Sequence, residues 1–335
     1  MQQLQQANLP RLVVSNFEFA LADQARVEDA LGAGRLVLVQ GHDALRDALS
    51  AHPDCDVVCS FFPPTDLLTL APRLRWLALP SAGADRVIRD GLVRPDGPIV
   101  TTSSGIHAVP IGEFAISLML MWTRRWPEMV MLQRVGAWPD RAGREALEGR
   151  ELSGATLGVI GLGAIGRHIA RLGRAFGMRI IATRRSATLE QRDPDADTLV
   201  PPDRLGDLLA TSDYVVVSVP ATAETHHIIG EEELRQMRPN AFLINISRGS
   251  TVDEAALIAA LSDGTIAGAG LDVFETEPLP ADSPLWRMPN VIISPHVAGD
   301  TDQYSRRFTD LFLDNLARFR AGEPLRNVVD VARGY

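Results

Sequence analysis

Three short segments in the second half of the chain carry polar side chains suited to reducing a carbonyl group. They span residues 245–254, 270–280 and 294–299, and each begins at the carboxyl end of a predicted strand. Arg248 offers a planar cation that fits a carboxylate. His296 offers a proton donor for a carbonyl oxygen, and Glu277 a carboxylate that favours the protonated form of that donor. Reduction of a 2-oxo acid requires these three groups.

Each of these residues also has an alternative interpretation. Glu275 lies just before Glu277 and is the other candidate for the carboxylate. Arg248 could be a structural surface arginine, and His296 could be a core histidine satisfied by hydrogen bonds.

A glycine-rich turn predicts a dinucleotide site. The apolar run 156–160 predicts a buried strand, which leads into Gly161-Leu-Gly163-Ala164-Ile165-Gly166 and then into an amphipathic helix. In this context Gly161 allows a tight turn, Gly163 lets the backbone approach a pyrophosphate, and Gly166 lets the helix pack closely. The N-terminus of the helix supplies N–H groups and positive dipole to the phosphates.

The residues at the end of the next strand indicate which nicotinamide cofactor binds. An acid at this point binds a ribose 2′-hydroxyl, whereas an arginine accepts a 2′-phosphate. The chain has Arg184, Arg185 and Ser186 there and no acid. We therefore predict a preference for NADP(H) over NAD(H). The alternative is a pair of solvated surface arginines.

The elements that must position these residues alternate between strands and helices, which indicates α/β domains with parallel sheets. Strands are predicted at 12–14, 36–39, 57–61, 76–79, 156–160, 179–183, 214–219, 242–246, 270–273 and 291–293. Helices are predicted at 22–31 and 43–49, over a long region 111–134, and at about 301–320.

Composition excludes several classes of protein. The 335-residue chain has a net charge of -9, which argues against nucleic-acid and anionic-membrane partners. It contains no lysine, so chemistry that depends on a Schiff-base or P-loop lysine is excluded.

The two cysteines, Cys55 and Cys59, lie in an apolar run without further metal ligands. We expect inert core thiols, no metal and a reducing, cytoplasmic compartment. The polar start of the chain does not read as a signal peptide.

The sequence resembles the D-2-hydroxyacid dehydrogenase family, and is closest in character to its NADPH-dependent glyoxylate/hydroxypyruvate reductases. The likeness runs from residues 81–85 through Glu113, the glycine turn and the three polar segments to 327–330 and the final Gly334-Tyr335. The family implies two doubly wound parallel-sheet domains, with a Rossmann NAD(P)-binding domain inserted into a flavodoxin-like substrate domain. The corresponding ranges would be 105–299 for the cofactor domain, and 1–104 with 300–335 for the substrate domain.

The resemblance also implies a role for individual residues. Arg248 would bind the substrate carboxylate, His296 would act as acid and base, and Glu277 would pair with His296. Ala82 and Gly83 would contact the substrate through their backbone. Further contacts with the cofactor would come from Ile165, Pro220, Thr225, Asp272, His296 and the Ala298-Gly299 segment. A homodimer is implied as well, and the region 111–122 offers apolar helix surface for it.

The expected substrate is a small 2-oxo or 2-hydroxy acid without a phosphate, because the loop 60–64, Ser-Phe-Phe-Pro-Pro, is apolar and lacks a basic residue. Two other functions remain open at this point. One is a nucleotide-sensing, corepressor-like binding protein, and the other is a dehydrogenase of another small anion such as phosphite or formate.

Overall fold

A computed structural model of the chain describes residues 10–188 and 190–330. The first residues of the chain and the Gly334-Tyr335 part of the family resemblance lie outside the described residues. Packing divides the described chain into two compact units. One contains residues 10–107 and 301–330, and the other is Ala108–Asp300.

The first unit is built on a five-stranded parallel sheet. Its strands are β1 (Val13–Ser15), β2 (Leu36–Leu38), β3 (Val57–Cys59), β4 (Trp76–Ala78) and β5 (Ile99–Thr101), in the order β2-β1-β3-β4-β5. Helices α1 (Leu21–Leu31), α2 (His42–Ala51), α3 (Leu67–Leu70) and α4 (Asp85–Arg89) connect them. This is the flavodoxin-like strand order.

The second unit holds a seven-stranded sheet in which every pairing is parallel. The strands are β6 (Thr156–Ile160), β7 (Arg179–Thr183), β8 (Thr198–Val200), β9 (Tyr214–Val217), β10 (Phe242–Asn245), β11 (Gly268–Leu271) and β12 (Val291–Ile293). Their order is β12-β11-β10-β9-β6-β7-β8, which is the Rossmann order with one added strand. The predicted fold class, two doubly wound parallel-sheet domains, is confirmed.

Helices cover the faces of this second sheet. They are α5 (Ala108–Thr123), α6 (Trp126–Arg134), α7 (Arg141–Glu145), α8 (Ala164–Ala175), α9 (Leu205–Thr211), α10 (Glu231–Gln236) and α11 (Glu254–Asp263). Short 3₁₀ turns occur at Pro202–Arg204, Gly249–Thr251 and Pro284–Arg287. The last helix of the chain, α12 (Tyr304–Ala321), belongs to the first unit.

Both faces of the seven-stranded sheet are buried, which explains why its strands read as continuous apolar runs. Val159, Phe242 and Ile244 belong to one hydrophobic cluster, and Val215, Val217 and Leu243 belong to the other. In the first unit Trp76 stacks on Phe312 of α12, with ring centroids 5.1 Å apart. The C-terminal helix is therefore part of the core of the first unit.

The structure corrects several predicted elements. The single helical region 111–134 is two helices, α5 and α6, because Arg125 between them has a left-handed backbone with φ 56°. Strands β5 and β8 were not predicted. Several predicted strands also extend past their observed ends; for example, the predicted strand 214–219 ends at Val217.

Cys55 and Cys59 are buried free thiols, as predicted. Burial raises the pKa of Cys55 to about 11 and the pKa of Cys59 to about 12, so both thiols are unreactive near neutral pH.

Within the described ranges, no helix has both the length and the apolar character needed to cross a bilayer.

Candidate active site

The predicted site residues of the second unit lie along one edge of its sheet. Because all strands are parallel, their carboxyl ends meet at the same edge. His296 follows β12, Glu277 follows β11 and Arg248 follows β10, on one side of the switch point between β9 and β6. The glycine turn follows β6 and Arg184 follows β7, on the other side. The strand order thus places the glycine turn and Arg184 on one side of the switch point and Arg248, Glu277 and His296 on the other.

The glycine turn has the geometry that a dinucleotide site needs. Gly161 has φ 100°, a left-handed conformation that side chains disfavour. A Cβ on Gly166 would lie 2.1 Å from the carbonyl oxygen of Gly161, so the first turn of α8 packs directly on the loop. A Cβ on Gly163 would meet nothing within 4 Å. Gly163 therefore presents open space, where a pyrophosphate would approach the backbone of Ala164 and Ile165 at the start of α8.

A network of arginines and aspartates fixes the connection between β7 and β8. The guanidinium of Arg167 binds both carboxylate oxygens of Asp193, at 2.7 and 2.8 Å, and Arg171 binds Asp195. These guanidinium groups lower the pKa of both carboxyls, so the acids are ionised at neutral pH. The network holds the loop that carries Arg184, Arg185 and Ser186.

Arg184 belongs partly to this network. Its Nη1 lies 3.4 Å from Asp193 Oδ2, and its Nη2 lies 3.3 Å from Gln191 Oε1. Arg185 and Ser186 are exposed at the following turn. The three residues are therefore adjacent at the end of β7, but the charge of Arg184 is shared with a buried acid.

Pro220 and Thr225 lie in the loop after β9, next to the switch point. Thr225 Oγ1 donates to Pro220 O at 2.6 Å and accepts from Thr222 N at 2.8 Å. Ser247 donates a hydrogen bond to Val219 O, which joins this loop to the end of β10. The conformation of the loop is thus set mainly by its own hydroxyl contacts.

Arg248 is held by its backbone. Its carbonyl oxygen accepts from Asn245 Nδ2 at 3.0 Å and from Thr251 Oγ1 at 2.7 Å. Asn245 is buried at the end of β10, and its own Oδ1 accepts from Ser247 N. The guanidinium of Arg248 is half-buried, and its Nη1 donates to Ser247 O at 2.9 Å.

His296 and Glu277 form a direct pair. His296 Nδ1 lies 2.8 Å from Glu277 Oε2, and Glu277 Oε1 accepts from Phe274 N at 3.0 Å. An ionised carboxylate only accepts hydrogen bonds, so Nδ1 carries the proton in this pair and Nε2 faces away from Glu277. Glu275, the alternative considered from sequence, instead contacts His227 Nε2 at 2.8 Å.

Asp272 holds the loop that carries His296. Its carboxylate is 2% exposed and accepts from Ser294 Oγ at 2.6 Å, Val297 N at 2.9 Å and Ala298 N at 2.9 Å. His296 itself has a left-handed backbone with φ 57°, which non-glycine residues rarely adopt. These bonds fix the turn at His296 and bring Ala298-Gly299 to the same edge.

Asn245 and Asp272 support Arg248 and His296, and neither role was predicted from sequence. For Asn245 the available signal was its position at a predicted strand end, at the start of the segment 245–254. Asp272 was predicted beside the cofactor, but sequence alone does not tell whether a carboxylate faces a ligand or its own loop.

The remaining predicted residues belong to the first unit. Ala82 and Gly83 follow β4, where Ser81 Oγ donates to Gly83 O at 2.9 Å. Phe61 and Phe62 follow β3. All four lie at the carboxyl edge of the five-stranded sheet.

Comparison with known proteins identifies the family. Residues 116–298 match the model of the D-isomer specific 2-hydroxyacid dehydrogenase, NAD binding domain. The chain belongs to the D-isomer specific 2-hydroxyacid dehydrogenases. The match spans the glycine turn and the three polar segments, and it shows that the second unit contains the NAD-binding domain of this family.

Curated relatives of this dehydrogenase carry names of reductases. A glyoxylate reductase from Korarchaeum cryptofilum is 38% identical over 281 residues, which is 83% of each chain. A glyoxylate/hydroxypyruvate reductase B from Pectobacterium atrosepticum is 38% identical over 272 residues, 79% of this chain and 82% of that protein.

Solved structures of dehydrogenases from the family are also similar. One from Xanthobacter autotrophicus, in complex with NADPH and MES, has a TM-score of 0.82 and 30% identity, covering 97% of this chain and 100% of that one. An NADPH-dependent glyoxylate/hydroxypyruvate reductase from Sinorhizobium meliloti, with NADP and sulfate, has a TM-score of 0.80 and 26% identity, covering 96% and 99%.

Two glycine substitutions separate cofactor binding from folding in this dehydrogenase. We expect Gly163→Ala to leave the melting temperature unchanged, because its Cβ enters open space, but to weaken binding of NADPH about tenfold or more by meeting the pyrophosphate. Gly166→Ala should instead lower the melting temperature, because its Cβ meets a backbone oxygen. Thermal unfolding measures the melting temperature of each variant, and fluorescence titration measures its affinity for NADPH. If folded Gly163→Ala binds NADPH with wild-type affinity, the assignment of Gly163 to the pyrophosphate site is wrong.

Proposed function

We propose that this dehydrogenase reduces a small 2-oxo acid, of the glyoxylate or hydroxypyruvate kind, to the D-2-hydroxy acid with NADPH. The observation that carries the proposal is the 2.8 Å pair between His296 Nδ1 and Glu277 Oε2, on the strand ends next to Arg248. The names of the relatives from Korarchaeum cryptofilum and Pectobacterium atrosepticum support the substrate class.

The catalytic roles follow from the geometry of each side chain. Arg248 binds the carboxylate of the 2-oxo acid through its planar guanidinium, which suits two parallel hydrogen bonds. His296 donates the proton on Nε2 to the oxygen at C2, while Glu277 accepts from Nδ1–H and stabilises the charged ring. The nicotinamide cofactor, when bound, supplies the hydride for C2. In the oxidation direction His296 accepts the hydroxyl proton.

The cofactor is held by the glycine turn and the neighbouring loops. Gly163 leaves room for the pyrophosphate, Gly161 forms the tight turn, and Gly166 lets α8 pack on the loop. Ala164 and Ile165 offer the N–H groups of the helix start. Pro220 and Thr225 are proposed to line the cofactor pocket, and Gly299 to lie beside the nicotinamide. Asp272, whose carboxylate is already engaged by the His296 loop, acts through that loop.

Ala82 and Gly83 are the proposed substrate-binding residues of the first unit, through their backbone, and the aromatic loop at Phe61 and Phe62 lies at the same edge of its sheet. Phe61 packs against Phe17 and Tyr304, with ring centroids 5.8 and 6.0 Å away, so it offers an apolar surface. The Arg86 guanidinium lies 5.0 Å from the Phe62 ring centroid, so a cation not visible in the loop sequence lies beside it. Small, non-phosphorylated acids remain the proposed class.

The cofactor proposal is NADP(H) in preference to NAD(H). Arg185 and Ser186 are exposed at the end of β7, beside Arg184, and positions 184–186 hold no acid that could bind a ribose hydroxyl. The structures from Xanthobacter autotrophicus and Sinorhizobium meliloti contain NADPH and NADP.

A homodimer is part of the proposal. The region 111–122, first considered for the interface, packs mostly into the core of the second unit through α5. The following segment is a better candidate, because no residue of α6 is fully buried. Trp126, Met131, Val135 and Trp138 are 51%, 57%, 71% and 87% exposed. We propose that a second copy covers them.

A cytoplasmic location is proposed from the two free thiols.

Turnover of 2-oxo acids tests the proposed reaction. We expect oxidation of NADPH with glyoxylate or hydroxypyruvate. His296→Gln should lower kcat about 10²-fold or more, because the proton donor is lost, and should lower the affinity for NADPH far less. The absence of turnover with a panel of 2-oxo acids would contradict the proposal, and so would a His296→Gln variant that keeps most of its activity.

The ratio of kcat/KM with NADPH to kcat/KM with NADH tests the cofactor proposal. We expect a ratio well above one in the wild type, and a drop of about tenfold in Arg185→Ser, because a charge-assisted contact with the 2′-phosphate is lost. Arg179→Ser is the matched control, since this exposed arginine lies at the opposite end of β7. A wild-type ratio of one or less would overturn the proposal.

Sedimentation velocity tests the dimer. We expect the wild type to have twice the mass of the chain, and Trp126→Glu with Met131→Glu to shift it toward the single chain. Phe176→Glu, at a 41% exposed position outside the segment 126–138, should leave the mass unchanged. A wild type with the mass of one chain would contradict the proposal.

A further inference from the structure

We infer that His227 is a positioning residue that sets the relative placement of Arg248 and Glu277. The inference rests on the proposed function, because it concerns the two loops that carry those residues. His227 lies in the loop after β9. Its backbone contacts the loop after β10, and its side chain contacts the loop after β11.

The ring of His227 is placed between two carboxylates. Its Nε2 lies 2.8 Å from Glu275 Oε1, and its Nδ1 lies 3.8 Å from Asp253 Oδ2. Since an ionised carboxylate only accepts, Nε2 donates to Glu275. The backbone of His227 has φ 48°, which non-glycine residues rarely adopt, and its N–H donates to Ser250 O at 2.9 Å. The turn therefore fixes the backbone of His227, and the contact with Glu275 holds its ring.

The loop of Arg248 is attached to the His227 turn on both sides. Besides the bond from His227 N to Ser250 O, Ile229 N donates to Thr251 O at 3.2 Å, and Asp253 N donates to Ile229 O at 2.9 Å. These contacts begin directly after Arg248. A displacement of the turn would move the backbone that orients the guanidinium.

The loop of Glu277 is attached through Glu275. The Glu275 carboxylate accepts from His227 and lies 3.4 Å from Glu254 N, while Glu275 N donates to Glu254 Oε2 at 3.1 Å. A Cβ on Gly249 would lie 1.9 Å from the carbonyl carbon of Phe274, so the two loops are in backbone contact. Glu277 in turn accepts from Phe274 N. The His227–Glu275 contact therefore lies at the junction of both loops.

This cluster contributes through geometry more than through stability. The side chains of His227, Glu275 and Asp253 are 34%, 38% and 35% exposed, and ion pairs at such exposure stabilise a fold only slightly. A misplacement of about 1 Å in a reacting group can nevertheless cost about 10²-fold in rate. Within the described residues no His, Cys, Asp and Glu side chains form a group suited to a metal, so the cluster is not interpreted as a metal site.

Substitution of His227 tests the inference. We expect His227→Ala to lower kcat/KM for the 2-oxo acid about tenfold, within the range that misplacement causes. The dissociation constant of NADPH should stay near the wild-type value, because Thr225 holds the loop after β9 through its own hydroxyl. His227→Gln, which can still donate to Glu275, should restore most of the loss. His226→Ala is the control, because it removes the neighbouring ring, tilted against His227 with centroids 4.0 Å apart, but keeps the contacts of His227 with Glu275 and Ser250. It should leave kcat/KM unchanged.

A double-mutant cycle tests whether His227 acts through Glu275. If it does, His227→Ala with Glu275→Ala should lose no more activity than the larger single loss, whereas independent roles would give additive losses. Additive losses, or wild-type kcat/KM in His227→Ala, would overturn the inference.

Hydrogen exchange gives a readout that does not need turnover. Residues 248–254 and 273–278 should exchange faster in His227→Ala than in the wild type, and His226→Ala should match the wild type. Unchanged exchange in His227→Ala would refute the positioning role. Failure of the proposed function would appear separately, as a wild type without turnover of any 2-oxo acid.

Discussion

Parallel pairing throughout the seven-stranded sheet is the constraint on which the candidate site depends. Every loop that carries a candidate residue leaves the sheet at the same edge, so residues as far apart in sequence as Gly161 and His296 come to one side of one unit. Burial of both faces by helices makes the sheet rigid, and the switch point between β9 and β6 separates the glycine turn from Arg248, Glu277 and His296.

Buried polar side chains then convert strand ends into fixed loops. Asn245 and Asp272 lie at the ends of adjacent strands, and their polar atoms are used to hold the turns of Arg248 and His296. A buried carboxylate or amide without partners is unfavourable, so these turns are favoured in the one conformation that satisfies them. The reacting side chains stay partly exposed, while their supports are buried. This division allows a substrate to reach the site without loosening the loops.

Much of this arrangement could be predicted from sequence, because it rests on local signals. The glycine turn, Arg248, Glu277 and His296 all follow apolar runs whose length and composition mark buried strands. The short edge strands β5 and β8 were missed, since each has three residues and β5 exposes Ile99. The contact of His227 with Glu275 joins residues 48 positions apart, and no local pattern indicates it. The shared use of Asp193 by Arg167 and Arg184 depends likewise on three-dimensional packing.

We propose that this edge of the sheet directs hydride to C2 of a 2-oxo acid and a proton to its oxygen, with one stereochemical outcome. Chiral analysis of the glycerate formed from hydroxypyruvate tests this, with two samples of NADPH that carry deuterium on opposite faces of C4. We expect D-glycerate, with deuterium at C2 from only one of the two samples. Formation of L-glycerate, or of glycerate that lacks deuterium with both samples, would contradict the proposal.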